Sequence, residues 1–247
     1  MLGGAFMDMY GWRRIERHLT ALTTIITIDL PGQGSAEQLD DTTLTGYTAQ
    51  WQALADALDQ LGLDRVDLLG YCYGATLACG FAAHHPERIS RLALTGVSDT
   101  LQTATVAEWA RLTEQHRMPE LGRSLIARAM AGPAIPIDGR DDIAARLMRH
   151  YASVPPHSHV AATLRRILNA HTQAMDLTGS LPHQLLVLSG AHDPFTPPDQ
   201  ARTFAARHPH ATTATLPRTD HLAYLERSDA FSTYLARHLR LGAHRVP

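Results

Sequence analysis

The stretch Leu68-Leu69-Gly70-Tyr71-Cys72-Tyr73-Gly74-Ala75-Thr76 constrains this chain more than any other. The apolar run Val66 to Leu69 reads as a short buried strand, and the Ala- and Leu-rich run Ala75 to His84 reads as a helix. Between them stands Cys72, with a glycine two residues to either side. Small residues at those positions let a strand and a helix pass close together while the central residue takes a strained turn. The turn leaves that residue at the helix N-terminus, where the positive end of the dipole favours an anion. A thiolate gains more from this setting than a hydroxyl, because the anion is the reactive form of cysteine. Cys72 is therefore the expected nucleophile, against the plainer alternative of a small buried side chain packed as a hydrophobe.

The rest of the chain alternates. Ile25-Ile26-Thr27-Ile28-Asp29-Leu30 reads as a buried strand followed by the turn Pro31 to Gly34. Tyr47 to Leu61 carries an apolar stripe at Trp51, Leu54, Ala55, Leu58 and Leu61, the spacing of a helix face. Further strands are expected at Ile89–Thr95, Leu185–Ser189 and Thr212–Leu216, interleaved with helices. Such βαβ alternation predicts an α/β protein with a mostly parallel sheet and helices on both faces. Residues 100–180 break the rhythm: they read as helices at Val106–His116, Leu121–Met130, Asp141–Ala152 and Val160–Asp176, with no strand.

Composition closes off several chemistries. All 22 basic residues are Arg and none is Lys, which excludes a Schiff-base or P-loop lysine. A net charge of −2 without basic blocks argues against nucleic-acid binding. No apolar run approaches the ~18 residues of a membrane span and no leader is evident, so a cytoplasmic protein with no membrane partner is expected. The two cysteines, Cys72 and Cys79, form no disulfide framework, and Cys79 reads as a packed helix residue. Among the 15 histidines no pair has the His-Glu helical spacing of a zinc protease, so neither a metal nor a cofactor is expected. His84, His85, His208 and His210 sit beside Pro-containing turns and read as surface residues.

The Gly-x-Cys-x-Gly turn is similar to the nucleophile elbow of α/β-hydrolases. That resemblance implies a hydrolase core over residues 1–99 and 181–247, with residues 100–180 as a helical lid over the nucleophile. Met118, Met130, Met148 and Met175 would give such a lid an adaptable apolar wall. The resemblance also implies the chain order nucleophile, acid, histidine. His221, in Leu216-Pro217-Arg218-Thr219-Asp220-His221-Leu222, is the expected general base, although Asp220 replaces the usual glycine before it. Two aspartates can serve as the acid. Asp99, 27 residues beyond Cys72, ends the strand after the nucleophile helix and is favoured. Asp193, in Gly190-Ala191-His192-Asp193-Pro194-Phe195-Thr196, follows the penultimate strand and is the alternative, or else merely shapes its loop. The oxyanion hole would be built from the backbone N–H groups of Ala5 and Tyr73. A buried strand should lead into the Gly3-Gly4-Ala5 loop, yet Met1 nearly begins it; the true start is expected upstream, and the present chain to be less soluble than an extended one.

With Cys72, Asp99 and His221 together, the chain resembles the Cys-Asp-His Dieckmann cyclases of bacterial polyketide–nonribosomal peptide pathways. The resemblance implies a partner, an acyl chain on a carrier protein, and a product, a tetramic acid or related ring closed through a C–C bond. A thioesterase giving the free acid is the alternative. A silent hydrolase fold acting as a binding module would be marked by a Cys72 inert to iodoacetamide.

Overall fold

In the computed structural model, which describes residues 1–4, 7–31, 33–34, 36, 47–97, 103–115, 117–153 and 179–241, four parallel strands carry the architecture. They are β1 (Val66–Tyr71), β2 (Ile89–Thr95), β3 (Gln184–Gly190) and β4 (Ala211–Leu216), paired in the order β1-β2-β3-β4. Their side chains alternate between two apolar clusters, as the period of a strand requires. Leu68, Leu92, Leu94, Leu185 and Val187 face one side. Leu69, Ala93, Leu186 and Leu188 face the other.

Helices cover both faces. On the first lie α2 (Tyr47–Gln60), through Trp51, Leu54 and Leu58, and α3 (Tyr73–His84), through Leu77 and Phe81; a helix at Pro198–Ala205 adds Phe204. On the second lie α1 (Arg13–Leu19), through Ile15 and Leu19, and a helix at Ser228–His238, through Phe231 and Leu235. Burying both faces lets nearly continuous apolar runs such as Leu185–Leu188 stand as strands.

Between β2 and β3 the chain forms α4 (Thr103–Glu114), α5 (Met118–Ala129) and α6 (Arg140–Ser153). These match three of the four expected helices; Val160–Asp176 lies outside the described residues. Met130, Ile126, Ile143, Ala144 and Leu147 from this segment join the apolar cluster that also contains Cys72. Met118 is buried, Met148 is half-buried, and Met175 lies outside the described residues.

Two expectations are corrected. Ile25–Leu30 is not a regular strand: it pairs through a single parallel bridge, Ile28 with Leu2, and the N-terminal amine donates to Ile26 O at 2.6 Å. Among the described residues only Leu2 bridges to both sides, to Ile28 and to Gly70, so no ladder among them extends along the segment. His208 is not a surface residue. Its Nδ1 accepts the Leu181 N–H at 3.1 Å and its ring packs on Phe204, and burial lowers its pKa.

The turn at Cys72 depends on contacts that only glycine permits. A Cβ on Gly70 would lie 2.3 Å from Gly74 O and 2.6 Å from Ala75 Cα, and one on Gly74 would lie 2.4 Å from Leu2 O. Backbone atoms cannot yield as a flexible side chain can. Gly70→Ala is expected to cost about 2–3 kcal/mol, read as a lower urea midpoint at unchanged slope; wild-type stability would show that strand and helix can separate freely.

Candidate active site

The site sits at the carboxyl ends of the strands, where open α/β sheets present their ligand crevice. Cys72 follows β1 directly and precedes α3, with φ 52° and ψ −117°. A positive φ in a residue with a side chain is strained. The strain is held by backbone pairing: Cys72 N–H donates to Thr95 O at 2.8 Å, and Cys72 O accepts from Ala75 N at 2.9 Å. The thiol is free and half-buried, whereas Cys79 is buried one helical stretch away, with burial pushing its thiol up to about 12. Cys79 is thus the packed residue expected from the sequence.

Tyr73 opens α3, and the N–H groups of a helix's first turn point out of its end. The loop at Gly3-Gly4 lies alongside: a Cβ on Gly4 would come 3.4 Å from Cys72 Cβ. Leu2 pins this loop to β1, its N–H donating to Leu69 O and its carbonyl accepting from Tyr71 N. Ala5 itself lies outside the described residues.

The loop after β4 delivers His221. Its Nδ1 bonds Asp193 Oδ2 at 2.9 Å, and both side chains are buried. The other ring nitrogen, Nε2, is buried, and the imidazole interacts with Cys72 as well as with Asp193. Burial alone would push the imidazole down; the Asp193 carboxylate and then Cys72 outweigh it, and His221 titrates well above its usual value. The ring is confined by Tyr71, 5.3 Å between centroids, and Phe195, 5.0 Å. Gly96, with φ 65°, presses against its edge, since a Cβ there would lie 2.7 Å from Cε1. The His221 backbone is also tied, its carbonyl accepting from Tyr71 OH at 3.1 Å.

Asp193 makes both of the uses foreseen for it. Oδ1 accepts from Phe195 N and Thr196 N, each at 2.8 Å, which shapes the loop after β3. Oδ2 accepts from Thr196 Oγ1 at 2.6 Å and from His221. Desolvation opposes the carboxylate's charge, but His221 and these donors prevail and hold its pKa below the usual range. The favoured acid, Asp99, lies outside the described residues; among the described ones Asp193 holds the imidazole. Sequence reading missed Thr196, although a hydroxyl three residues after Asp is a loop-capping spacing.

Two tyrosines complete the surroundings of the thiol. For Tyr224, burial and then the charge at Cys72 raise the hydroxyl's pKa. For Tyr151 of α6, burial leads, followed by Tyr224 and Cys72. Both therefore remain protonated donors at neutral pH.

A strained cysteine at a strand-to-helix turn, with a carboxylate-backed histidine from a later loop, is the arrangement of one broad family. A family described as alpha/beta hydrolase fold matches residues 1–228. The chain belongs to that family. This α/β hydrolase is 26% identical over 209 residues to 2-hydroxymuconate semialdehyde hydrolase of Pseudomonas sp. (strain CF600), covering 78% of this chain and 68% of that protein. It is 25% identical, over an alignment of 252 positions with gaps, to pimeloyl-acyl-carrier-protein methyl ester esterase of Chromobacterium violaceum, covering 95% and 94% of the two. An alpha/beta hydrolase enzyme from a Medee basin deep-sea metagenome library superposes with a TM-score of 0.82 at 19% identity, over 97% of this chain and 87% of that one, which shows the fold. These named relatives are hydrolases or esterases. Among the described residues, no helix of this α/β hydrolase is long and apolar enough to cross a membrane.

The signs of the two pKa shifts fix how pH acts on the pair. The raised His221 contributes stability that is complete below its unfolded value, about 6.5, and is lost as pH rises through the folded value. The depressed Asp193 contributes stability above about 3.9 that is lost as pH falls through its folded value. Asp193→Asn should lower the His221 midpoint in an NMR titration and cut turnover by up to about 10⁴-fold. An unmoved midpoint would remove Asp193 from the site.

Proposed function

We infer that the protein is a cysteine-dependent acyl-transfer enzyme that takes an acyl chain from a carrier-bound thioester and releases it by Dieckmann C–C ring closure. Catalysis is assigned to Cys72 as nucleophile, His221 as proton carrier and Asp193 as the acid that orients it, with backbone N–H groups of Tyr73 and Ala5 as oxyanion donors. The observation that carries this reading is the thiol itself, set at a strained helix N-terminus beside an imidazole whose carboxylate partner raises its pKa.

The steps balance without an outside proton. The cycle starts from a Cys72 thiolate and a His221 imidazolium. The thiolate attacks the thioester carbonyl, and the oxyanion forms against the N–H donors. The carrier thiolate departs and takes the His221 proton. Neutral His221 then removes the acidic proton between the two carbonyls of a β-ketoacyl-aminoacyl chain. The carbanion attacks the Cys72 thioester, the ring closes, and Cys72 leaves as thiolate beside the regenerated imidazolium. Exchange of one thioester for another is nearly even in energy, and a thioester favours a carbon nucleophile more than an oxygen ester does. This is a reason to have Cys rather than Ser at position 72.

Ring closure competes with water, so the site has to be dry. The side chains of Ile126, Met130, Ile143 and Leu147, packed in one cluster with Cys72, support a dry wall and the reading of residues 100–180 as a lid. A thioesterase that gives the free acid is the second reading, favoured by the esterase named for an acyl-carrier-protein ester that matches 95% of this chain.

Product mass separates the two. A β-ketoacyl-aminoacyl thioester incubated with the protein should yield a product lighter than the free acid by one water, absent with Cys72→Ala. Cys72→Ser should retain some acyl transfer with more hydrolysis. Free acid alone would establish the thioesterase, and a fully active Cys72→Ala would end the cysteine mechanism.

A further inference from the structure

The residue before His221 is a fully buried aspartate. Asp220 Oδ1 accepts from Leu222 N at 2.9 Å, bracing the turn that carries the imidazole. Its Oδ2 reaches another part of the chain and accepts from Ala131 N at 3.0 Å. Ala131 lies just beyond the end of α5, and the adjoining residue of the loop makes a matching bond: His221 N–H donates to Ala129 O at 3.1 Å. Two consecutive residues of the histidine loop thus grip the end of the helix that supplies Ile126 and Met130 to the wall beside Cys72.

The groups around Asp220 suit this grip. Glu226 Oε2 accepts the Asp220 backbone N–H at 2.9 Å, while its Oε1 is buried without a partner among the described residues. Burial, then the charge of Asp220, pushes the Glu226 carboxyl above its usual range, which lessens like charge beside Asp220. Arg140 donates to Gly132 O and Ile135 O, fastening the α5–α6 connection on its far side. A glycine at 220 would keep the backbone bonds and lose both carboxylate bonds.

We propose that Asp220 is a positioning residue that couples the end of α5 to the His221 loop, so that the wall over Cys72 and the imidazole are set together. This rests on the reading of His221 as the proton carrier for Cys72. Its consequence is that the proton-transfer geometry is complete only when α5 is seated, which ties chemistry to the exclusion of water.

The test breaks the same bond from either side. Asp220→Asn replaces one acceptor oxygen with an NH₂ group. Ala131→Pro removes the donor, and the preceding Met130, at φ −108° and ψ 139°, already has the extended backbone that a following proline requires. Each variant should speed amide exchange in the peptide spanning residues 126–130 by about tenfold or more, as expected for loss of a charge-assisted hydrogen bond. Each should lower kcat per titratable Cys72 by at least about tenfold with KM within about twofold, because small misplacement of a catalytic group costs rate. Each should raise the share of free acid. The double variant should lose no more than the worse single one. Unchanged kcat per titrated thiol with unchanged exchange, or losses that multiply in the double variant, would overturn the coupling. A wild-type Cys72 that no thioester acylates would overturn the acyl-transfer reading instead, and the exchange result would then decide the coupling alone.

Discussion

The site depends on a steric constraint at two glycines. Gly70 lets β1 touch the first turn of α3, and Gly74 lets that turn touch Leu2 and Gly3. Those contacts squeeze the backbone at Cys72 into a positive φ and leave its side chain half-buried at the strand tip, against the edge of the apolar cluster. The strain is a local cost offset elsewhere, by a sheet whose two faces are both buried under helices. The same crossing brings the N-terminal loop to the thiol, so one packing constraint sets both Cys72 and the backbone around it.

Everything else in the site arrives from a different strand end. β2 brings Gly96 against the imidazole, β3 brings Asp193, and β4 brings His221. Asp193 is fixed by three donors besides the ring it holds, and Tyr71 and Phe195 close the ring in. The imidazole is therefore preorganised: its tautomer is set by a carboxylate, its position by packing, and its backbone by Tyr71 OH and Ala129 O. A low-dielectric setting of this kind makes each fixed charge count for more than it would in water.

The parts of this arrangement that were legible in the sequence are local. Gly-x-Cys-x-Gly between an apolar run and a helical run places Cys72, and strands at Ile89–Thr95 and near Leu185–Ser189 follow from continuous apolar pattern. What the sequence left open depends on contacts between distant segments. Two aspartates, Asp99 and Asp193, follow strand-like runs in the sequence, and the contact between Asp193 and His221 depends on where the β4 loop arrives, which no local pattern gives. The bond from Ala131 to Asp220 joins residues 89 apart in the chain, and no periodicity announces it. Ile25–Leu30 has the composition of a strand but makes a single bridge among the described residues, and His208 looks polar yet is buried because it satisfies Leu181 N–H.

The claim at the centre of this account is that the thiol at position 72 carries the acyl group. Intact-protein mass spectrometry after brief exposure to an acyl thioester, followed by peptide mapping, tests it directly. The account predicts one acyl group per chain, on the peptide containing the Gly70–Gly74 turn and on Cys72 within it. An acyl group found on Cys79, or turnover of the thioester with an oxygen nucleophile acylated in place of Cys72, would contradict it.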